Sequence, residues 1–354
     1  MSISPQLPLG EARSRSISDT NMFDAFFAPI AKLFARDDVT ECVINRPFEV
    51  GLETRAGWEW FDVPQLDYKW LRKLCDLMAG VTRQDVDTEH PVVSSVLPGG
   101  ARVQCLVPPA VPADTVSITI RKASDKNWSL GDFDAQGLFK MTRTADSSMS
   151  PEDHALAALR DEGRWPDFFR LAVEARKNIL ISGATGSGKT SFAKGLIQLI
   201  PADERLITIE DTRELVVPHR NAVHMTYSKD GNSLQKIGAK ELLESALRMR
   251  PDRILLQELR DGTAFFYLRN VNSGHPGSIT TVHGNSAEGA LEQLTLLVKE
   301  SPGGADLHRD DIRGLLTALI DIVVQMRRFP PSDGKPAEYR MTEVLLRPDG
   351  RGGA

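Results

Sequence analysis

Eight residues, Gly183-Ala184-Thr185-Gly186-Ser187-Gly188-Lys189-Thr190, set glycines, a lysine and a hydroxyl at the spacing that wraps a polyphosphate. Glycines let the backbone curl so that successive N–H groups point at phosphate oxygens, and a helix opening at the lysine adds the partial positive charge of its first turn. Lys189 would lie between the β and γ phosphates of ATP, and Thr190 would offer its hydroxyl to Mg2+, with Ser191 next in the same turn. The flanks fit, because Asn178-Ile179-Leu180-Ile181-Ser182 reads as a strand and Ser191 to Ile197 is compatible with a helix. A glycine-rich structural turn is the plain alternative, and strand before with helix after argue against it.

Three further groups stand where apolar runs end. Ile209-Glu210-Asp211-Thr212-Arg213-Glu214 places adjacent acids at a strand end, where they could order Mg2+ waters or take a proton from an attacking water, while Arg213 could meet a phosphate. Arg253-Ile254-Leu255-Leu256-Gln257-Glu258 delivers one carboxylate after a short strand, the logic of a Walker B motif. The aspartate usual before that acid is replaced by Gln257, so metal contact by Glu258 would run through water and lean on Thr190. In the segment from Gly274 to Asn285, His283 ends an apolar strand and fits a sensor of the γ phosphate or of the attacking water; His275 is the weaker of the two histidines. No third ligand lies close enough in sequence to make them a metal site. The ordinary readings are solvated loop charges and a capping histidine.

Such strand ends need a frame that gathers them. Strand-like runs at 178–182, 206–209, 253–256, 278–282 and 322–326 alternate with helical stretches, so residues 164–354 are expected to form an α/β domain whose mainly parallel sheet binds ligands at its carboxyl edge. Residues 21–122 read as a small α+β domain. Leu71, Leu74, Cys75 and Met78 share a helix face, Pro98-Gly99-Gly100 marks a hairpin, and the alternation at 116–120 predicts a strand with one buried face. Phenylalanines from Phe23 to Phe34 recur at helical spacing, although Pro29 should bend or break that helix. They would cover their own domain, with a membrane surface or a partner as the alternative. Residues 1–20 are expected to be disordered, and 123–163 to be an interdomain linker with little core of its own.

Bulk composition narrows the function. The 354 residues carry a net charge of −5, which argues against a protein whose main affinity is for nucleic-acid phosphates. Cys42, Cys75 and Cys105 are scattered singly and read as reduced core thiols of a cytoplasmic protein. Neither a signal peptide nor a spanning helix is evident, since the apolar stretch from Leu315 to Met326 is short and carries Asp321.

The order of the clusters, in GATGSGKTS, LITIEDTREL, LRMRPDRILLQELRD and SGHPGSITTVHG, resembles the secretion ATPase superfamily, with its phosphate loop, Asp box, Walker B glutamate and His box. VINRP, LPGGARVQCLVPP and VSITIRK are similar to the branch of hexameric traffic ATPases that serve type IV secretion and conjugation. That resemblance covers nearly the whole chain. It implies a RecA-like C-terminal domain, a homohexamer, and nucleotide between the two domains of a subunit with Arg102 and Arg121 reaching its phosphates. It also implies inner-membrane and coupling components of a secretion channel as partners, peripheral contact with the cytoplasmic face of the inner membrane, and no direct nucleic-acid binding. Gln257 stands where the superfamily usually has glycine. Rival readings are a nucleotide-gated scaffold of the channel, a type II secretion or pilus motor, whose extension members commonly carry a Cys-x-x-Cys module absent here, and a DNA translocase, which would want a basic channel with stacking aromatics.

Overall fold

Two sheets divide the chain. The computed structural model describes residues 17–124, 127–142, 149–228, 237–332 and 335–347. Helix α1 (Ile17–Phe34) is followed by strands β1 (Glu41–Ile44), β2 (Glu49–Thr54) and β3 (Gly57–Asp62), helix α2 (Tyr68–Val81), and strands β4 (Val92–Val96), β5 (Arg102–Leu106) and β6 (Ser117–Arg121). The strands form one antiparallel sheet in the order β3-β2-β1-β6-β5-β4. The apolar face of α2 covers it with Leu71, Leu74, Cys75 and Met78 fully buried, and Asp67 caps the helix by accepting the Trp70 N–H at 2.7 Å.

Of the disordered tail expected at 1–20, residues 1–16 lie outside the described residues, and from Ile17 the chain is already helical. Helix α1 runs on through Pro29. A proline inside a helix costs about 3 kcal/mol, and burial of Phe23 and Ile30 together with the Phe26–Trp70 ring contact at 4.5 Å offsets it. The phenylalanine face therefore covers its own domain.

The stretch 123–163 is less of a linker than its composition indicates, although 125–126 and 143–148 lie outside the described residues. A short helix α3 (Leu130–Ala135) buries no residue, but α4 (Pro151–Asp161) is closed by a Ser150–Asp153 capping box and belongs to the second domain. Leu156 is buried beside Phe168, and Lys177 donates to Asp153 at 2.6 Å. The sequence shows a short helical stretch over 152–159 but not where it docks, because one fully buried leucine and one ion pair anchor it.

The second domain continues with α5 (Trp165–Glu174), β7 (Ile179–Gly183), α6 (Lys189–Ile197), β8 (Leu206–Glu210), β9 (Ala222–Thr226), α7 (Ala239–Ala246), β10 (Arg253–Leu256), α8 (Thr263–Val271), β11 (Ile279–Val282), α9 (Ala287–Glu300), α10 (Arg309–Leu319), β12 (Ile322–Phe329) and β13 (Glu338–Leu346). A parallel bridge between Glu258 and Thr281 joins β9-β8-β10 to β11-β7-β12-β13, and every pairing is parallel except that of β13 with β12. Helices α4 to α6 cover one face and α7 to α10 the other. This is the helix-covered parallel sheet that the alternation of strands and helices predicts. The edge strands β9 and β13 are additions that the sequence pattern did not reveal.

The two domains meet through buried polar groups. Arg205, fully buried just before β8, donates to Asn45 at 2.8 Å and Thr119 at 3.2 Å of the first domain, to the Met249 carbonyl at 2.8 Å, and to Asn221. Gln104 donates to Ser245 at 2.7 Å, and Arg250 binds Glu53. These contacts bury both faces of β6, against the expectation of one solvated face: Ile118 and Ile120 enter the core, while Ser117 and Thr119 are buried on the polar side that meets the second domain.

Candidate nucleotide site

The phosphate loop leaves β7 at Gly183 and enters α6 at Lys189. Gly183 has φ 157°, and a Cβ there would stand 2.4 Å from Ser187 Oγ and 2.5 Å from the Met326 carbonyl oxygen. Gly188 has φ 91°, a left-handed conformation that glycine adopts without strain. Ala184, Thr185 and Gly186 form the exposed crest of the loop, while Lys189, Thr190 and Ser191 make the first helical turn. Lys189 is buried, and its ammonium donates to the carbonyls of Gly183 at 2.8 Å and Ala184 at 3.1 Å. Burial lowers its pKa, so exchanging these carbonyls for phosphate oxygens would favour the charged form. Ser182 Oγ and Ser187 Oγ are buried without a hydrogen-bond partner. A bound oxyanion is the kind of group that satisfies such hydroxyls.

The strand order sets the acid beside this loop. Because β11 lies between β7 and β10, the ends of all three strands converge, and Glu258 bridges to Thr281. Gln257 contributes backbone: its N–H reaches Ile209 O at 3.1 Å and its carbonyl accepts the Thr281 hydroxyl at 3.0 Å. Glu258 therefore projects on the opposite side of the strand from Gln257. Its Oε2 binds Arg260, which also donates to Asp211 Oδ2 at 3.0 Å. His283 Nε2 stands 2.9 Å from Glu258 Oε1 but out of hydrogen-bond alignment, leaving that buried oxygen without a donor among the described residues. Burial raises the pKa of Glu258, and the charges of His283 and Lys189 act against that rise. One carboxylate oxygen is thus fixed by a guanidinium and the other is ready to accept a proton or a water.

Not every expected site residue gathers here. Glu210 is fully buried, with Oε2 accepting the N–H groups of Glu214 at 2.7 Å and Leu215 at 2.8 Å and Oε1 accepting the Thr208 hydroxyl at 3.1 Å. Both oxygens are thus engaged within their own loop rather than turned toward Lys189, where the expected catalytic and metal roles would need them. Asp211 reaches the site through Arg260. Arg213 is exposed and lines a separate cavity of about 260 Å3 with Arg46 and His224. His275 is half-buried at the other end of the sheet, where its backbone neighbour is Pro251.

Arg102 and Arg121 also lie apart from the loop. Arg121 pairs with the buried Glu41 at 2.7 Å, and both arginines line a cavity of about 420 Å3 with Arg248. The reason is where the first domain sits. Its partners Arg205 and Asn221 immediately precede β8 and β9, and Arg250, which binds Glu53, stands shortly before β10, all at the amino end of the parallel strands, whereas the phosphate loop follows β7 at the carboxyl end. The two arginines and the phosphate loop of one chain therefore stand at opposite ends of the parallel strands. Arg260 is the arginine that enters the site; the signal for it in the sequence is its place two residues after Glu258.

A family model described as Type II/IV secretion system protein matches residues 65–329. The chain is 50% identical over 331 residues to the type IV secretion system protein VirB11 of Bartonella quintana, covering 90% of this chain and 91% of that one. It is 43% identical over 291 residues to VirB11 of Brucella suis, covering 81% of each. The crystal structure of the VirB11 ATPase from the Brucella suis type IV secretion system, in complex with sulphate, superposes with a TM-score of 0.88 at 38% identity, over 95% of this chain and 97% of that one. With the phosphate loop, the lone strand-end glutamate and the histidine beside it in place, the chain belongs to the type II/IV secretion system protein family, in its VirB11 ATPase branch.

Proposed function

We propose that the chain is an ATP-hydrolysing motor of a type IV secretion system, acting as a homohexamer on the inner-membrane and coupling components of the channel from the cytoplasmic face. The observation that carries this reading is the convergence of the phosphate loop with Glu258 and His283 on neighbouring strands. Backbone N–H groups from Gly186 to Thr190 and the Lys189 ammonium hold the phosphates. Glu258 Oε1 orients a water so that its oxygen bonds to the γ phosphorus as the bond to the bridging oxygen breaks, and His283 stands where it can meet the γ phosphate. Arg260 and Asp211 hold the glutamate in place.

The donor set also suits Mg2+. Among the described residues no three His, Cys, Asp or Glu side chains cluster as metal ligands, which fits an ion carried mainly by phosphate oxygens and water with one hydroxyl, that of Thr190. When bound, Mg2+ spreads the phosphate charge. Arg102 and Arg121, held at the far end of their own second domain, serve a phosphate site across a subunit boundary, so the ring completes the site. No helix among the described residues is long and apolar enough to cross a membrane, and contact with the bilayer in this reading is peripheral.

Steady-state phosphate release tests the motor reading. Wild type should hydrolyse ATP without nucleic acid, and Lys189→Ala should lower the rate at least about a hundredfold by removing a charge that stabilises the transferring phosphoryl group. A severalfold stimulation by single-stranded DNA would instead favour a nucleic-acid translocase. A turnover too slow to drive transport would favour a nucleotide-gated scaffold.

The pH profile tests the acid pair. Since His283 favours the charged form of Glu258, His283→Asn should move the acid limb of turnover to higher pH. A limb that stays in place or moves down would remove His283 from the pair.

A further inference from the structure

The cavity at the phosphate loop is larger than the loop itself. Of about 650 Å3, it is lined by residues from Gly186 to Phe192 and, from the far strands, by Met326 and Tyr339. That volume falls in the range of small-molecule sites. Two of its walls come from the β12–β13 hairpin, which none of the motifs includes. We propose that Tyr339, with Met326 in the same cavity wall, forms the base-binding subsite of this cavity, stacking the purine ring of the nucleotide whose phosphates lie in the loop. The inference rests on the nucleotide reading of that loop.

A register shift places the tyrosine there. Gln325 pairs with Glu343, but Met326 pairs with Met341, so Thr342 is an extra residue in β13. A bulge of this kind changes which side chains face a given side of the sheet. Beyond it, Glu343 Oε2 caps the first turn of α9 by accepting the Ala287 N–H at 2.7 Å, whereas Met341 packs on the opposite face, with the cluster that contains α6. Tyr339, two residues from Met341, shares that α6 face. Without the bulge it would point to the α9 side, away from the loop.

The geometry leaves its ring available. A Cβ on Gly188 would stand 3.4 Å from Tyr339 Cδ1 and 3.9 Å from Met326 Cε, so the ring lies against the glycine that opens α6. Tyr339 is 56% exposed, and no ring or side-chain partner engages it among the described residues. An exposed aromatic face next to a phosphate cradle, with a polarisable thioether lining the same cavity, is the chemistry that holds a flat heteroaromatic ring.

Titration of the full chain with the non-hydrolysable ATP analogue AMPPNP and with inorganic tripolyphosphate, each with Mg2+, separates base from phosphate binding. Tyr339→Ala should raise the Kd for AMPPNP about tenfold and leave tripolyphosphate within about twofold of wild type. Tyr339→Phe, which keeps the ring, should bind AMPPNP like wild type. Unchanged AMPPNP affinity in Tyr339→Ala would overturn the base subsite and leave the phosphate loop intact. Equal weakening of both ligands would also overturn it, showing a ring that supports the loop. Wild type binding neither ligand would overturn the subsite and the nucleotide reading together.

Discussion

Glu258→Gln is expected to lower ATP turnover about a thousandfold while the variant still binds ATP, because the substitution keeps shape and removes the proton acceptor. The expectation follows from the split use of the two oxygens. Arg260 holds Oε2, and Oε1 is buried, close to His283, and without a donor among the described residues. Phosphate release at saturating ATP, measured beside equilibrium nucleotide binding, distinguishes loss of chemistry from loss of site. Glu210→Gln is the informative companion. Because the Glu210 carboxylate is committed to the N–H groups of Glu214 and Leu215, its replacement should act mainly through loop stability. If Glu210→Gln abolished turnover with the loop intact and Glu258→Gln did not, the two acids would have to exchange roles.

Arg205→Ala should produce the largest loss of stability, about 3 kcal/mol or more, as expected when a buried hydrogen-bonding cation is truncated and its partners are left unsatisfied. Burial above all, with the charge of Arg250, opposes the guanidinium and pushes its pKa down to about 9, against the favourable charges of Glu41, Asp252 and Glu53. What holds it is a set of neutral acceptors from both domains: Asn45, Asn221, Thr119 and the Met249 carbonyl. Removing the side chain strands these acceptors at the domain junction and opens a cavity there. Calorimetry should show a lower melting temperature and a transition that broadens or divides as the first domain uncouples from the second. Arg205→Met, which keeps the apolar stem and drops the costly charge, should lose less. A single transition at the wild-type temperature for Arg205→Ala would show that Gln104–Ser245 and Arg250–Glu53 suffice to dock the domains.

The docking also bears on how the proposed motor moves. The first domain is fixed to the amino end of its own parallel strands by a buried polar network, so in the proposed homohexamer a closing motion over the phosphate loop would be a motion between chains. Arg102 and Arg121, which end up on the far side of their own sheet, can contribute to a phosphate site when a neighbouring subunit brings its loop to them.

By itself the sequence determined what local spacing can enforce. Gly183, Gly186 and Gly188 permit one path between a strand and a helix, so the loop was legible, and the apolar run ending in Glu258 together with the strand ending in His283 announced two side chains at a sheet edge. The parallel α/β frame followed from alternation. Tertiary structure decided everything that depends on which distant segments become neighbours. It placed β11 between the loop and the acid, gave Arg260 to Glu258, and drew Glu210 into its own turn. It also carried Arg102 and Arg121 away from the loop, buried the polar face of β6 against Arg205, and used an extra residue in β13 to turn Tyr339 toward Gly188. Motif spacing is a property of backbone conformation over a few residues. Strand order, register and domain docking are set by the burial of surfaces far apart in the chain, which no window along it contains.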